Sequence, residues 1–222
     1  MLGRYDLSTI WVFMLDRQEE IIQLAIEHIL VVLMSLFFAA IIGVLVGLLV
    51  WDRALSRSVA IAAAAIILTI PSMALLAMMI PVFGLGWLPT VIALSMYSLL
   101  PIVRNTVVGL REVSPAVMES ASGMGMSKLG VLLRIQIPIA WPVILTGVRV
   151  STQLAVGIAA IAAYVAGPGL GAYIFKGLSM LGAVHALNFA LVGTILIALI
   201  ALALDGIFIL ITRYTTSEGI RA

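Results

Sequence analysis

The chain has 222 residues, a formal net charge of +2, 64% hydrophobic and 10% charged residues, and no cysteine. A soluble domain carries about 45–50% apolar and about 25% charged residues, and a globule of this size could not keep so much apolar surface from water. These figures exclude a soluble enzyme, a nucleic-acid binder and a disordered chain, along with disulfides and thiolate zinc sites, and predict an all-α integral membrane protein folded as a single domain over residues 1–222.

The first apolar stretch, 7–15, contains Ser8 and Thr9 and is closed by Asp16-Arg17-Gln18-Glu19-Glu20, with no small-residue cleavage site, which argues against a cleaved signal peptide. The segment 5–20 reads as an amphipathic helix lying in the membrane interface. An uncharged run of 23 residues, 29–51, is enough for a first span, placed at 22–51, because about 20 residues cross the hydrocarbon core. Glu27 and His28 fall near its outer end, where a wet interface accommodates them. Gly43-x-x-x-Gly47 lets this span approach another helix closely.

The next uncharged run, 58–103, has 46 residues, right for two crossings. Two prolines, two glycines and Trp87 within 81–89 mark a turn at the membrane surface, so the second and third spans are set at 59–80 and 88–108. Pro71 should kink the second span, with Ser72 positioned to satisfy a freed carbonyl. A polar stretch at 104–134 follows, then a fourth span at 138–166, a break at Gly167-Pro168-Gly169-Leu170-Gly171, a short interfacial helix and loop within 172–187, and a fifth span at 188–212. The runs are continuous rather than alternating, which disfavours a β-barrel.

Orientation follows from loop lysines and arginines. With the N-terminus outside and the C-terminus inside, the inner segments hold Arg53, Arg57, Arg104, Arg111, Lys128, Arg134, Arg213 and Arg221. The outer ones hold Arg4, Arg17 and Lys176. The loop 109–137 is then cytoplasmic and 167–187 external.

The cytoplasmic segment has a helix start, with Ser114 as a cap and Pro115 at the first helical position. A short helix over 115–122 would turn Val117, Met118 and Ala121 to one side. Gly123 and Gly125 then stop it, and Ser127 can cap a second short helix that leads through Pro138 back into the membrane. So ordered an elbow implies that something docks on it.

Glu119-Ser120-Ala121, three residues, Gly125, nine residues and Ile135-Gln136-Ile137-Pro138 resemble the cytoplasmic motif of the permeases of binding-protein-dependent ABC importers, with Ser120 and Ile137 as mild departures from Ala and Leu. Further strings resemble the branch that imports glycine betaine, choline and carnitine. They are Thr69-Ile70-Pro71-Ser72, Leu99-Leu100-Pro101-Ile102-Val103-Arg104-Asn105-Thr106 and Gly167-Pro168-Gly169-Leu170-Gly171, where family members usually carry glycine in place of Pro168. The resemblance covers about residues 25–212 and implies a type I ABC importer permease fold with about five spans. It implies that the elbow is a coupling helix seated on a cytoplasmic ATPase, with Met118, Glu119, Ser120, Ala121, Met124, Gly125 and Pro138 as the coupling residues. It also implies two ATP-binding subunits, a second permease subunit of the same or a related chain, an external or periplasmic solute-binding protein, and a bacterial inner membrane as the location. Permeases of the methionine type share much of this layout and form the alternative.

No catalytic or cofactor set is expected in this chain. Lys128 and Lys176 are the only lysines and neither sits in Gly-x-x-x-x-Gly-Lys-Ser/Thr, so ATP and Mg belong to the partner subunit. His28 and His185 are far apart, with no acidic cluster to make a metal site. A membrane enzyme lacks its nucleophile, and an ion-coupled secondary transporter lacks an internal repeat and paired mid-membrane acids. Arg149 within the fourth span is expected to snorkel or meet a helix-end carbonyl, the alternatives being a pair with Asp205 or a place on the path. Pro71, Ser72, Tyr97, Arg149 and Gln153 are the candidate pathway or gate residues, with Ser95, Ser98 and Thr152 as further pore-facing polar groups. Tyr97 and Tyr164 offer faces for a quaternary ammonium.

Overall fold

The computed structural model describes residues 7–216; Arg4, Arg221 and the first two residues of the segment 5–20, used above, lie outside them. Helix α1 spans Leu7–Asp16 and α2 spans Gln18–Val50, the latter 33 residues long against the 22–51 expected. Two shorter helices follow, α3 (Ala54–Thr69) and α4 (Ser72–Phe83), then α5 (Trp87–Arg111). After α6 (Pro115–Gly123), α7 (Lys128–Val131) continues through a π turn at Leu132–Gln136 into α8 (Ile137–Ala162). Helix α9 (Gly171–Ser179) and the long α10 (Ala186–Thr215) complete the chain. Among the described residues, four helices are long and apolar enough to cross a membrane, or five if the bent pair α3–α4 makes one span.

That pair corrects the second span. Instead of a kinked helix over 59–80, two helices meet at 94°. Pro71 lacks an N–H and its ring disfavours helical geometry in the residue before it. It sits in extended backbone at φ −56°, ψ 134°, and the start of α4 has no side-chain cap. Thr69 closes the end of α3 by donating its hydroxyl to the Ile66 carbonyl at 2.7 Å. The winding that leads into the fourth span begins at Lys128, ten residues before Pro138, where the Ser127 cap is expected to start it, and it passes through the π turn before reaching that proline.

The chain divides into two compact units. One comprises Met1–Ser35, Ile70–Ser95 and Gln153–Ala203, and its core gathers Phe13, Ile21, Tyr173, Phe189 and Val192. Ser95 ties α5 to α2 here by donating to the Ser35 carbonyl at 3.0 Å. His28 is fully buried rather than in a wet interface, because the loop before α9 covers it: a side chain on Gly169, at φ +109°, would meet its Cβ at 2.8 Å.

The other unit comprises Leu36–Thr69, Met96–Thr152 and Leu204–Ala222. Here Gly43 and Gly47 allow α2 to lie on α5; a Cβ on Gly47 would meet the Cβ of Thr106 at 2.6 Å. This is the close packing that small residues one turn apart permit. Leu110, Ala140 and Ile144 form its core, flanked by Val44, Leu48 and Trp51. Ser151 on α8 donates to the Ser98 carbonyl on α5 at 2.7 Å. The serines and Thr152 expected to face a pore are therefore buried, and Ser95 and Ser151 spend their hydroxyls on neighbouring helices.

Candidate functional site: a glycine-locked elbow and an intramembrane ion pair

Helix α6 begins with Pro115 at its first position, where a missing N–H leaves no bond unmade. Ser114 does not cap through its side chain; its carbonyl instead accepts from the amides of Val117 and Met118 at 3.1 and 3.3 Å. The exit is more tightly specified. The Met126 amide donates to the Ala121 carbonyl at 3.2 Å and the Gly125 amide to Ser122 at 3.0 Å, the paired bonds of a Schellman motif. Its closing residue must adopt the left-handed region, and Gly125 does so at φ +82°. Gly123, expected to break the helix, is its last residue. Ser127 then caps α7, accepting from the Gly130 amide at 3.2 Å, as its sequence position predicts.

Side chains on the elbow sort cleanly. Ala121 is buried and anchors it, while Met118 is half-buried. Glu119, Ser120, Gly125 and Pro138 are exposed, and Met124 is 76% exposed, an unusual place for a large apolar side chain. The Ser120 hydroxyl turns back to the Ala116 carbonyl at 2.7 Å, so its exposed face is apolar like the alanine it replaces. Behind the elbow lies a groove of about 560 Å³, lined among others by Trp51, Asp52, Arg57, Arg111, Glu119 and Gln136. Arg57 reaches across its rim to the Trp51 carbonyl at 3.0 Å.

The candidate pathway residues fare unequally. Tyr97 is 2% exposed, its ring enclosed within its unit, and Tyr164 lies at the surface beside Phe175 with ring centroids 5.5 Å apart. Pro71 is exposed and Ser72 half-buried at the α3–α4 bend. Gln153 donates to the Ala201 carbonyl at 3.2 Å. Arg149 neither snorkels nor meets a helix-end carbonyl: its Nε and Nη2 both donate to the two oxygens of Asp205, each at 2.6 Å. The same two helices are joined further along by Trp141, whose indole donates to Thr215 at 2.9 Å.

Sequence reasoning missed a third cluster. Phe13, Tyr173 and Phe189 stack edge to face with centroids 4.8–6.3 Å apart. The Arg17 guanidinium sits 5.1 Å from the Phe13 ring and the Lys176 ammonium 4.5 Å from Phe189. Tyr173 donates to Glu20 at 2.8 Å; burial first, then the Glu20 carboxylate, push its hydroxyl well above the ordinary tyrosine range. The only signal in the sequence was an aromatic in each of three separated segments.

Residues 39–216 match the family described as binding-protein-dependent transport system inner membrane component. The osmoprotectant import permease protein OsmW of Salmonella typhimurium is 36% identical over 214 residues, covering 94% of this chain and 98% of that one. The choline transport system permease protein OpuBB of Bacillus subtilis is 33% identical over 91% of each chain. The glycine betaine/carnitine/choline transport system permease protein OpuCB of the same organism is 32% identical over 88% of each. In fold, the chain is similar to one in the inward-facing MetNI methionine ABC transporter, with a TM-score of 0.77 at 21% identity over 96% of this chain and all of that one.

Proposed function

The chain belongs to the family of binding-protein-dependent transport system inner membrane components, and on that premise we propose that it is the permease subunit of an ATP-driven importer of osmoprotectants such as glycine betaine, choline or carnitine. One observation carries the solute class: relatives named for those solutes match it at 32–36% identity over 88% or more of the chain. Methionine is the weaker reading, since the methionine transporter matches at 21%, a level that speaks to fold alone.

In this reading the membrane orientation is N-terminus out and C-terminus in, supported by the eight basic residues of the inner segments against three in the outer ones. The elbow over 115–127 then faces the cytoplasm and seats on a separate ATPase that holds the ATP and Mg. The exposed Met124 and the apolar edge of α6 are what such a groove would cover. Two permease chains enclose the path, two ATPases grip the two elbows, and an external binding protein delivers the solute. Closure of the ATPase pair pulls on Glu119 and its neighbours, and the rigid Schellman exit passes that displacement through α7 into α8. This chain contributes a gate and a lever, and no catalytic group.

Uptake into proteoliposomes holding the permease, its ATPase and its binding protein tests the reading. Uptake of glycine betaine that needs ATP on the ATPase side and survives an uncoupler is the expected result. Uptake by the permease chain alone, or uptake that an uncoupler abolishes, would overturn it.

A further inference from the structure

We propose that Arg149 and Asp205 form a transit site for the two charges of a zwitterionic solute, each partner of the pair exchanging the other for the opposite charge of the passing molecule. The inference rests on the osmoprotectant reading for its choice of solute and on the geometry for its place.

Both side chains stand within membrane-crossing helices, yet they remain 40% and 29% exposed. Charges at that depth are expensive against hydrocarbon and face water or protein instead. Helix α10 is the most open of the four long helices, with 11% of its apolar window buried against 56% for α5. Next to Asp205, Gly206 has nothing within 4 Å of where a Cβ would stand, and Thr146, one turn before Arg149, is exposed. The pair is therefore open to contact beside Gly206 and Thr146, while the exposed Leu202 and Ile209, one turn either side of Asp205, add apolar surface that suits the methyl groups of a quaternary ammonium.

The chemistry of the contact suits exchange. Arg149 presents Nε and Nη2 as a planar fork already engaged by two carboxylate oxygens, and a solute carboxylate fits the same fork. A quaternary ammonium has no N–H to donate, but its charge neutralises Asp205. Exchange therefore turns one ion pair into two and leaves no charge unpaired, while reversal restores the internal pair and releases the solute. Trp141 and Thr215 hold α8 to α10 independently, so opening the pair does not part the helices.

Reciprocal selectivity tests this in the assembled complex, with glycine betaine (a zwitterion) and choline (a cation without a carboxylate) as probes. Asp205→Asn leaves Arg149 unneutralised and should raise the betaine-to-choline uptake ratio by about fivefold, the size of one charge contact in a wet site. Arg149→Gln leaves Asp205 unneutralised and should lower the ratio by a similar factor. A pair that only joins two helices would depress both solutes equally in both variants, and that result overturns the site while the osmoprotectant reading stands. If the unaltered complex takes up neither probe, the reading fails and the proposal with it. Should the single variants not assemble, the cysteine-free chain offers a second route: Thr146→Cys should react with a charged, water-soluble thiol reagent, and saturating glycine betaine should slow the reaction. An unreactive thiol, or one that solute does not protect, overturns the proposal.

Discussion

The aromatic cluster around Tyr173 and the elbow around Gly125 are held in opposite ways. The first, in one compact unit, depends on side chains: three rings stacked on each other, two cations over their faces, and a hydroxyl bound to Glu20. The second, in the other unit, depends on backbone: a proline at one end, a left-handed glycine at the other, and large side chains such as Met124 left uncovered. Packing of the first kind loses stability with every substitution that deletes atoms, because each deleted atom leaves a void. A shape defined by backbone bonds can stay intact with little buried area, and so remains free to meet a partner. The contrast teaches where damage should appear as unfolding and where as lost coupling.

The largest effect is expected from Phe13→Ala, which removes a buried ring from the cluster and should cost about 3 kcal/mol, at the low end for buried aromatics. Faster amide exchange throughout α1 would report it, and unchanged exchange would mean that the rings do not hold that helix. Gly125→Ala comes next. A Cβ there meets nothing within 4 Å, so its penalty is the left-handed φ alone, about 1–2 kcal/mol. ATP-driven uptake should fall further than that penalty explains, while membrane insertion holds and the melting temperature drops by only a few degrees; a lowered melting temperature with uptake intact would erase the distinction between the two regions.

Tyr173→Phe should cost about 1 kcal/mol through the lost bond to Glu20. Because the folded state holds the phenol proton more tightly than the unfolded chain, this contribution is fully present below about pH 10 and declines as pH rises beyond it. The gap in melting temperature between wild type and Tyr173→Phe should therefore stay constant from pH 6 to about 9 and narrow above that. Smallest of all, Ser122→Ala removes an exposed hydroxyl bonded only to the Met118 carbonyl of its own helix, and the melting temperature should move by the equivalent of less than about 0.5 kcal/mol.

The spans and the elbow were legible because their signals are local. Charge-free runs delimit helices, and Ser114-Pro115 and Gly125 punctuate the chain wherever their neighbours lie. What escaped depends on distant partners. Nothing adjacent to Ser95 or Ser98 indicates that each lies against another helix, nor does the sequence near His28 show that Gly169 covers it. The 94° bend escaped for another reason: a proline in an apolar run reads the same whether it kinks a helix or ends one. Arg149 and Asp205 were each visible as costly intramembrane charges, but their bidentate geometry needed the antiparallel register of α8 and α10.

The π turn at Leu132–Gln136 carries a consequence for the direction in which the elbow points. Such a turn takes in one residue more than an α-helical turn does, so the winding before it and the winding after it differ in azimuth by the share of a single residue, about 100°. Deleting one residue there would let the coil run on uninterrupted, with its helices preserved and its hydrophobic contacts nearer the membrane untouched. The bend at Gly125 would nonetheless be swung a quarter of a revolution or more around the axis, a misaimed handle on an otherwise sound shaft.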